Sequence, residues 1–249
     1  RNILKIKQSF SYKPKSFEFS VSDFFFWANN DDLKTVFYLN NLASQVLPKN
    51  NFDDLVKVFI YSNDGSIQKT LDINLKSFES RKIDFQKMDL KGFGSFCVFH
   101  TFRDIETTLK PYGSYLSERG YLAFSNDSEN WNFVHGNTAC LQFTNNNPKN
   151  LLCKSPYKNI YRPQIIFDNK SKNSLILNNP SESDIKIQIQ EDNFNNKLIQ
   201  NSEIKIKKKG TIMFNLDQST SYTKIFSSFL LHRPLILKNY QSSIDILHG

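Results

Sequence analysis

Alternation of apolar and polar residues with a period of two dominates the chain. It is clearest in Ile185–Gln190 and Val56–Tyr61, and turn residues such as Asn63-Asp-Gly65 separate such runs at short intervals. Side chains of a strand point alternately to its two faces, so each run predicts a strand with one buried face. Helical patterns are limited to Leu42–Val46 and Ser114–Glu118. The pattern therefore favours an antiparallel all-β fold over βαβ units.

Strand-like segments recur in the same order in two parts of the chain. Val36–Asn41 matches Ser174–Asn179, and Asn132–Gly136 matches Asp245–Gly249. Four further pairs lie between these two: Val56–Ile60 with Ile185–Ile189, Ile73–Leu75 with Ile204–Ile206, Ile83–Phe85 with Ile212–Phe214, and Ser95–His100 with Ser227–His232. Self-similarity in register predicts an internal duplication.

From these patterns we predict an all-β fold of two tandem antiparallel β-sandwich domains, immunoglobulin-like or jelly-roll-like, related by that duplication. The first domain is expected at 15–146 and carries an insertion at about 101–126 that the second copy lacks. A linker is expected at 147–162, followed by a second, shorter sandwich at 163–249.

The net charge of +8 does not by itself indicate nucleic-acid binding, because only six of the 32 basic residues are Arg. Arg is the residue favoured for bidentate recognition of bases and phosphates. The densest basic cluster, Lys205–Lys209, follows an alternating run and is typical of a protected sheet edge, with a polyanion patch as the alternative. We expect no sequence-specific binding of nucleic acid.

No apolar run approaches the length of a transmembrane helix, so no transmembrane segment is expected. The chain begins at Arg1 rather than Met, which is compatible with removal of an upstream segment, and the compartment stays unknown. Three cysteines, Cys97, Cys140 and Cys153, cannot all pair within one chain, and their spacing does not match a metal-binding motif.

All four histidines fall at matched positions of the two copies: His100 and His135 in the first, His232 and His248 in the second. Each pair is a candidate ligand-binding or metal site at the end of a sandwich, since imidazole binds transition metals and donates hydrogen bonds. A histidine that caps a loop corner for structural reasons fits the same pattern. Whether a metal is bound is left unknown, and no cofactor is expected.

Arg119 and Arg233 precede His135 and His248 by similar distances, which suits recognition of a carboxylate or phosphate, although pairing with a nearby acid is an equally simple explanation. Tyr121 lies in the insertion of the first copy, and Trp131 has only polar neighbours. Trp131 is therefore a candidate stacking platform for a sugar or a partner side chain, with a half-buried core position as the alternative.

Templates for nucleophilic, phosphate-binding and zinc-dependent catalysis are missing from the sequence, so no catalytic residue is assigned. We expect a non-enzymatic binding or interaction module whose ligand, a carbohydrate, an anionic small molecule or a protein, contacts the insertion and the loops near His100 and His135. The candidate ligand-binding residues are His100, Arg119, Tyr121, Trp131, His135, Arg233 and His248. A hydrolase or metal-dependent enzyme using paired histidines and a structural assembly subunit remain the alternatives.

Overall fold

The computed structural model describes residues 21–46, 53–100, 117–118, 120–126, 130–136, 139–144, 146–150, 154–163, 166–167, 169–229, 234–240 and 242–248. Within these ranges the chain is nearly all β, with one short helix, α1 (Leu42–Val46), and one 3₁₀ turn, Phe85–Met88. All strand pairs but one are antiparallel, so the predicted all-β antiparallel class is confirmed.

The strands are, in chain order, β1 (Val21–Asp23), β2 (Phe25–Asn29), β3 (Lys34–Asn40), β4 (Asp54–Ser62), β5 (Ile67–Leu75), β6 (Ser80–Asp84), β7 (Gly92–His100), β8 (Ser117–Glu118), β9 (Tyr121–Ser125), β10 (Asn132–His135), β11 (Ala139–Thr144), β12 (Asn147–Asn150), β13 (Lys154–Tyr161), β14 (Lys172–Asn178), β15 (Ile185–Asp192), β16 (Leu198–Ile206), β17 (Thr211–Asn215), β18 (Tyr222–Phe229), β19 (Leu235–Asn239) and β20 (Ile244–His248).

Eight of these strands form the first half of the fold, which we define as β2–β7, β9 and β10. They form two four-stranded parts, β5-β4-β7-β2 and β6-β3-β9-β10, which are joined by the single pair Asn29–Lys34 of the β2–β3 hairpin. Aromatic side chains of the two parts meet in one core: the ring centroids of Phe25, Phe37 and Phe96 lie 5.0–5.2 Å apart. Full burial of each such ring contributes about 1.5–3 kcal/mol to stability.

The second half, which we define as β13–β20, has the same strand order. Its two sheets run β16-β15-β18-β13 and β17-β14-β19-β20. Its own core contains Leu175 and Leu177 of β14, Ile187 and Ile189 of β15, and Ile225 of β18. The inward residues alternate with polar ones, as the sequence pattern predicts.

The fourth sheet, β12-β11-β1-β8, covers the outer face of β4 and β7. Phe143 of β11 packs against Phe59 and Phe99, each at a ring-centroid distance of 5.5 Å. Two of its strands lie in ranges that the sequence analysis treats otherwise. Strand β8 lies in the insertion expected at about 101–126, and β12 lies in the expected linker at 147–162, which also contains β13. Residues 101–116 of the insertion lie outside the described residues.

The strand registers of the two halves agree with some of the predicted sequence matches and not with others. The Asn193 N–H donates to the Lys197 carbonyl at the β15–β16 turn, as the Ser62 N–H donates to the Ser66 carbonyl at the β4–β5 turn. Ile187 and Val56 each lie six residues before these turn positions, so the two residues correspond. The partner of Val56 on β7 is His100, whereas the partner of Ile187 on β18 is Ser227. His100 thus corresponds to Ser227, and its predicted match with His232 does not hold.

Candidate functional site

Exposed aromatic side chains cover the outer face of the β6-β3-β9-β10 part. One row across it runs Lys82, Tyr38, Tyr121 and His135, and Phe133 lies two residues from His135 on the same face. Tyr121 and Phe133 are each 59% exposed and Tyr38 is 39% exposed. The rings of Tyr38 and Phe133 lie 6.1 Å apart. We call Tyr38, Tyr121, Trp131 and Phe133 the aromatic face.

Trp131 joins this face just before β10 begins. It is half-buried, and the Nζ atom of Lys82 lies 5.6 Å from the centroid of its ring. A cation over an indole ring contributes about 0.5–1 kcal/mol at an exposed site. The contact therefore favours this position of Trp131 beside the more exposed rings.

The strand alternation explains why these rings point outward. Thr35, Phe37 and Leu39 of β3 are fully buried on the inner face, so Tyr38 between them points to the outer face. Val36 and Ala123, paired across β3 and β9, are buried on the outer face between the larger side chains. Large exposed rings that surround small buried apolar residues are typical of a contact surface.

The corresponding face of the second half carries aliphatic residues and a methionine where the first half has aromatic residues and a lysine. The row Met213, Ile176, Leu235 and His248 repeats the register of Lys82, Tyr38, Tyr121 and His135, and Ile246 takes the place of Phe133. We call Ile176, Met213, Leu235 and Ile246 the covered face. All but Met213 are less than a tenth exposed, and all four pack into the core of the first half.

Backbone contacts complete the contact between the two halves, which we call the joint. The Asn63–Gly65 turn of the first half lies on the Lys207–Gly210 turn of the second, where the Thr211 N–H donates to the Asn63 carbonyl over 2.9 Å. The Ser95 hydroxyl donates to the Lys209 carbonyl over 3.0 Å. Gly65 has φ +84°, and a Cβ atom there would lie only 1.9 Å from the Lys208 carbonyl oxygen. Only glycine fits this position.

The candidate histidines divide between the joint and the core. The rings of His135 and His248 lie 4.8 Å apart, and Nε2 of His248 lies 2.9 Å from the His135 carbonyl oxygen. They line a narrow cavity between the halves together with Phe26, Ile176 and Leu235. The two histidines that meet thus come from different halves, not from one half as the sequence analysis paired them.

His100 lies in the interior of the first half. Its Nδ1 atom lies 2.5 Å from Oδ2 of Asp54, and neither side chain is exposed to solvent. A buried histidine held by a carboxylate matches the structural role that the sequence analysis gave as the alternative for these histidines. His232 lies outside the described residues.

Of the other candidate residues, Tyr121 and Trp131 belong to the aromatic face, whereas Arg119 and Arg233 lie outside the described residues. The sequence analysis missed Tyr38 and Phe133 as site residues. The signal for both was present, since each is an aromatic residue on the polar side of an alternating strand. Within the described ranges no group of three or more His, Cys, Asp and Glu residues is arranged to hold a metal ion.

Two of the four lysines in the basic cluster of the second half pair with nearby acids. Lys205 pairs with Asp184 at 2.8 Å, and the buried Lys209 pairs with Glu182 at 2.7 Å while donating to the Pro180 carbonyl. Hydrogen bonding to Lys205 and to the Lys208 N–H lowers the pKa of Asp184. These lysines act mainly as partners of local acids.

No helix in the described part of the chain is long and apolar enough to cross a membrane. No protein-family model matches the sequence, and no curated protein matches it significantly.

Proposed function

We propose that the chain is a non-enzymatic interaction module built from two tandem β-sandwich domains that arose by duplication. The shared strand order of the two halves supports the duplication. So does a shared irregularity, because Phe78 and Lys209 adopt positive φ angles of 61° and 55° in corresponding turns. A side chain other than glycine seldom adopts this conformation, so its recurrence at one place in both halves favours common origin.

We infer that the module binds a protein surface through the aromatic face. The observation that carries this proposal is the covered face: in the second half, the same rows of the matching sheet are buried against another folded unit, the first half of the same chain. Tyr and Trp supply large, stiff contact areas and are enriched in protein interfaces. Tyr38, Tyr121 and Phe133 occupy the positions of aliphatic residues that are buried in the second half.

A protein partner fits this surface better than an anionic small molecule. Among the described residues, Lys82 and Asp84 beside the face lie 3.9 Å apart and partly offset one another, and Lys34 lies on the same side of β3. A sheet face also differs in shape from the concave pockets in which small ligands are usually buried. A carbohydrate that stacks on the rings is the competing ligand, and the experiment below separates the two.

The test is site-specific photocrosslinking in the native host. A photoreactive phenylalanine analogue replaces Phe133 in one variant and Ile67 in a control variant. Ile67 is 56% exposed but lies on β5, away from the aromatic face. We expect a discrete crosslinked protein band at position 133 that is missing at position 67. Equal crosslinking at both positions contradicts the proposal. So does binding to a glycan array that depends on Phe133, if no protein is crosslinked at position 133.

A further inference from the structure

We propose that the side chains of Asn173 and Lys238 join in an isopeptide bond, which crosslinks the two central strands of the β17-β14-β19-β20 sheet. Asn173 of β14 and Lys238 of β19 stand directly opposite one another in the register of these antiparallel strands. Both lie on the inner face, because Leu175 and Ile236, two residues away on the same strands, belong to the core of the second half. An amine and an amide are thus neighbours inside the second half.

The pair is buried at a place where the first half is apolar. Asn173 is 5% exposed and Lys238 is 8% exposed. One row of the second half repeats the register of a row in the first half: Asn173, Lys238 and Asp245 correspond to Thr35, Phe124 and Asn132. Phe124 is fully buried in the core of the first half. A lysine, which is rarely buried in proteins, therefore occupies the position of a core phenylalanine.

The strand register brings the two reacting groups within reach of one another. Side chains that stand directly opposite on antiparallel strands have Cβ atoms about 4.5–5.5 Å apart. The lysine side chain is long enough to cover this separation, so it can fold over β14 and place Nζ of Lys238 against Cγ of Asn173. Holding two reactants together in this way replaces a bimolecular encounter with an intramolecular step.

Ser171 orients the Asn173 amide for attack. The Ser171 hydroxyl donates to Oδ1 of Asn173 over 3.0 Å, and Nδ2 of Asn173 donates to the Ser171 carbonyl over 3.2 Å. Ser171 is itself buried. The first hydrogen bond stabilises the negative charge that develops on Oδ1 when a nucleophile adds to the carbonyl carbon. Ser171 is therefore a positioning residue for this reaction.

Asp245 of β20 supplies a carboxylate on the other side of the lysine, since it pairs directly with Lys238. Ile244 and Ile246 pack into the core of the first half, so Asp245 between them lies on the inner face together with Lys238. A carboxylate beside an ammonium group can accept its proton. Asp245 is the group that we assign to this transfer.

The reaction balances without an oxidant or a reductant. The Lys238 ammonium gives one proton to Asp245, and the neutral Nζ attacks Cγ of Asn173. The new Nζ–Cγ bond replaces the Cγ–Nδ2 bond, and Nδ2 leaves as ammonia with a second proton from Nζ. Asp245 then returns its proton to the ammonia, which departs as ammonium. One amine and one primary amide thus become one secondary amide and one ammonium ion.

The crosslink ties together the strands that carry Ile176 and Leu235 of the covered face. A covalent link between distant residues limits the conformations of the unfolded chain and so favours the folded state. The row of Thr35 and Phe124 in the first half has no amine and cannot form such a bond.

The experiment is intact-mass spectrometry of the purified full chain in denaturant. The test variant is Lys238→Met. The control is Lys172→Met, because Lys172 pairs with Asn239 across the same two strands but is exposed on the opposite face. We expect wild type and the control to be lighter than their sequences by one molecule of ammonia, and Lys238→Met to have its full sequence mass. Circular dichroism verifies that each variant is folded.

Tryptic digestion of wild type gives a second readout that needs no variant. We expect a branched peptide that joins residues 173 and 238, and no cleavage after Lys238. A wild type that has its full sequence mass and is cleaved after Lys238 overturns the inference. So does a loss of ammonia that persists in Lys238→Met, which cyclisation of an asparagine onto its own backbone produces.

Asp245→Asn tests the assigned proton transfer separately. A folded Asp245→Asn chain is expected to remain largely at its full sequence mass, because the carboxylate that accepts the proton is gone. Complete loss of ammonia in this variant contradicts the role of Asp245.

Discussion

Asn41 and Asn179 make the same hydrogen bonds in the two halves. The Asn41 N–H donates to the Glu79 carbonyl over 3.0 Å, and the Asn179 N–H donates to the Gly210 carbonyl over 2.8 Å. Their side-chain amides donate to the carbonyls of Lys76 and Lys207 at 3.0 and 2.8 Å. Each asparagine fixes the turn that leads into β6 or β17, and the turn before β17 is the one that contacts Asn63 of the first half.

Replacing Asn179 is expected to destabilise the second half strongly. The buried Asn179 side chain donates to three carbonyls, including that of Ser183, and accepts from the Ser181 N–H and hydroxyl. Asn179→Ala leaves several of these groups without a partner, at a cost of about 1–3 kcal/mol for each one that stays buried. Urea denaturation measures the loss. The control Asn195→Ala, at an exposed turn position, is expected to change stability by less than about 0.5 kcal/mol, and equal effects contradict the assignment.

Gly65→Ala tests the joint between the halves, with Gly92→Ala as a matched control. Both glycines have positive φ angles, 84° and 93°, but an added Cβ at Gly92 meets no atom within 4 Å. Gly92→Ala therefore reports backbone strain alone, about 1 kcal/mol. Gly65→Ala adds the clash with the Lys208 carbonyl and is expected to cost roughly 1–3 kcal/mol more. Thermal unfolding that is equally affected by both variants argues against a close joint at Gly65.

The ion pair between Asp192 and Lys224 predicts a pH dependence of stability. Burial opposes the charge of Asp192, yet hydrogen bonds from Lys224, at 2.6 Å, and Gln190 hold the net pKa below its ordinary value. A carboxyl whose folded-state pKa is lowered stabilises the fold above its unfolded-state pKa, and this stabilisation is lost as pH falls through the folded-state pKa.

Lys224→Met removes the partner and leaves burial to raise the Asp192 pKa. We expect a loss of about 3 kcal/mol at neutral pH, typical of a broken buried pair. Part of this loss is expected to be recovered as pH falls, because a carboxyl with a raised pKa takes up its proton in the folded state first. The readout is urea midpoints measured from neutral to acid pH. Parallel wild-type and variant profiles contradict the prediction. Lys186→Met, whose pair with Glu203 is exposed on both sides, is the control.

The Cys97 thiol is expected to be unreactive in the folded protein. Its side chain is fully buried, and this burial raises the thiol pKa. The thiolate is the reactive form, so labelling requires unfolding. In a Cys140→Ser, Cys153→Ser background, a thiol reagent is expected to modify Cys97 only as fast as the chain unfolds in urea. Rapid modification without denaturant contradicts the buried position.

The all-β class and the strands were predictable because burial on one face of a strand imposes a period of two. The short helix Leu42–Val46 was predictable from its local pattern as well. The match of His135 with His248 also held, since the strands from β9 to β10 and from β19 to β20 keep the same register.

The histidine pairing was not predictable, because it depends on loop lengths and on packing between distant strands. The 3₁₀ turn Phe85–Met88 lengthens the connection from β6 to β7 relative to that from β17 to β18, which shifts His100 away from the position of His232. The unbroken apolar runs Leu175–Leu177 and Leu235–Leu237 indicate burial on both faces of β14 and β19, but they do not indicate which part of the chain covers the outer face. That difference arises only when β20 comes to lie beside β10.

The central claim is that the aromatic face of the first half is a protein contact, as the matching face of the second half is. Hydroxyl-radical footprinting tests it most directly, because oxidation of Tyr38, Tyr121 and Phe133 reports the exposure of each ring. We expect these three residues to be oxidised in the dilute purified chain and protected when the chain is bound in an extract of its host, while oxidation of Ile67 stays constant. Oxidation of the three rings that does not change in the extract would contradict the account.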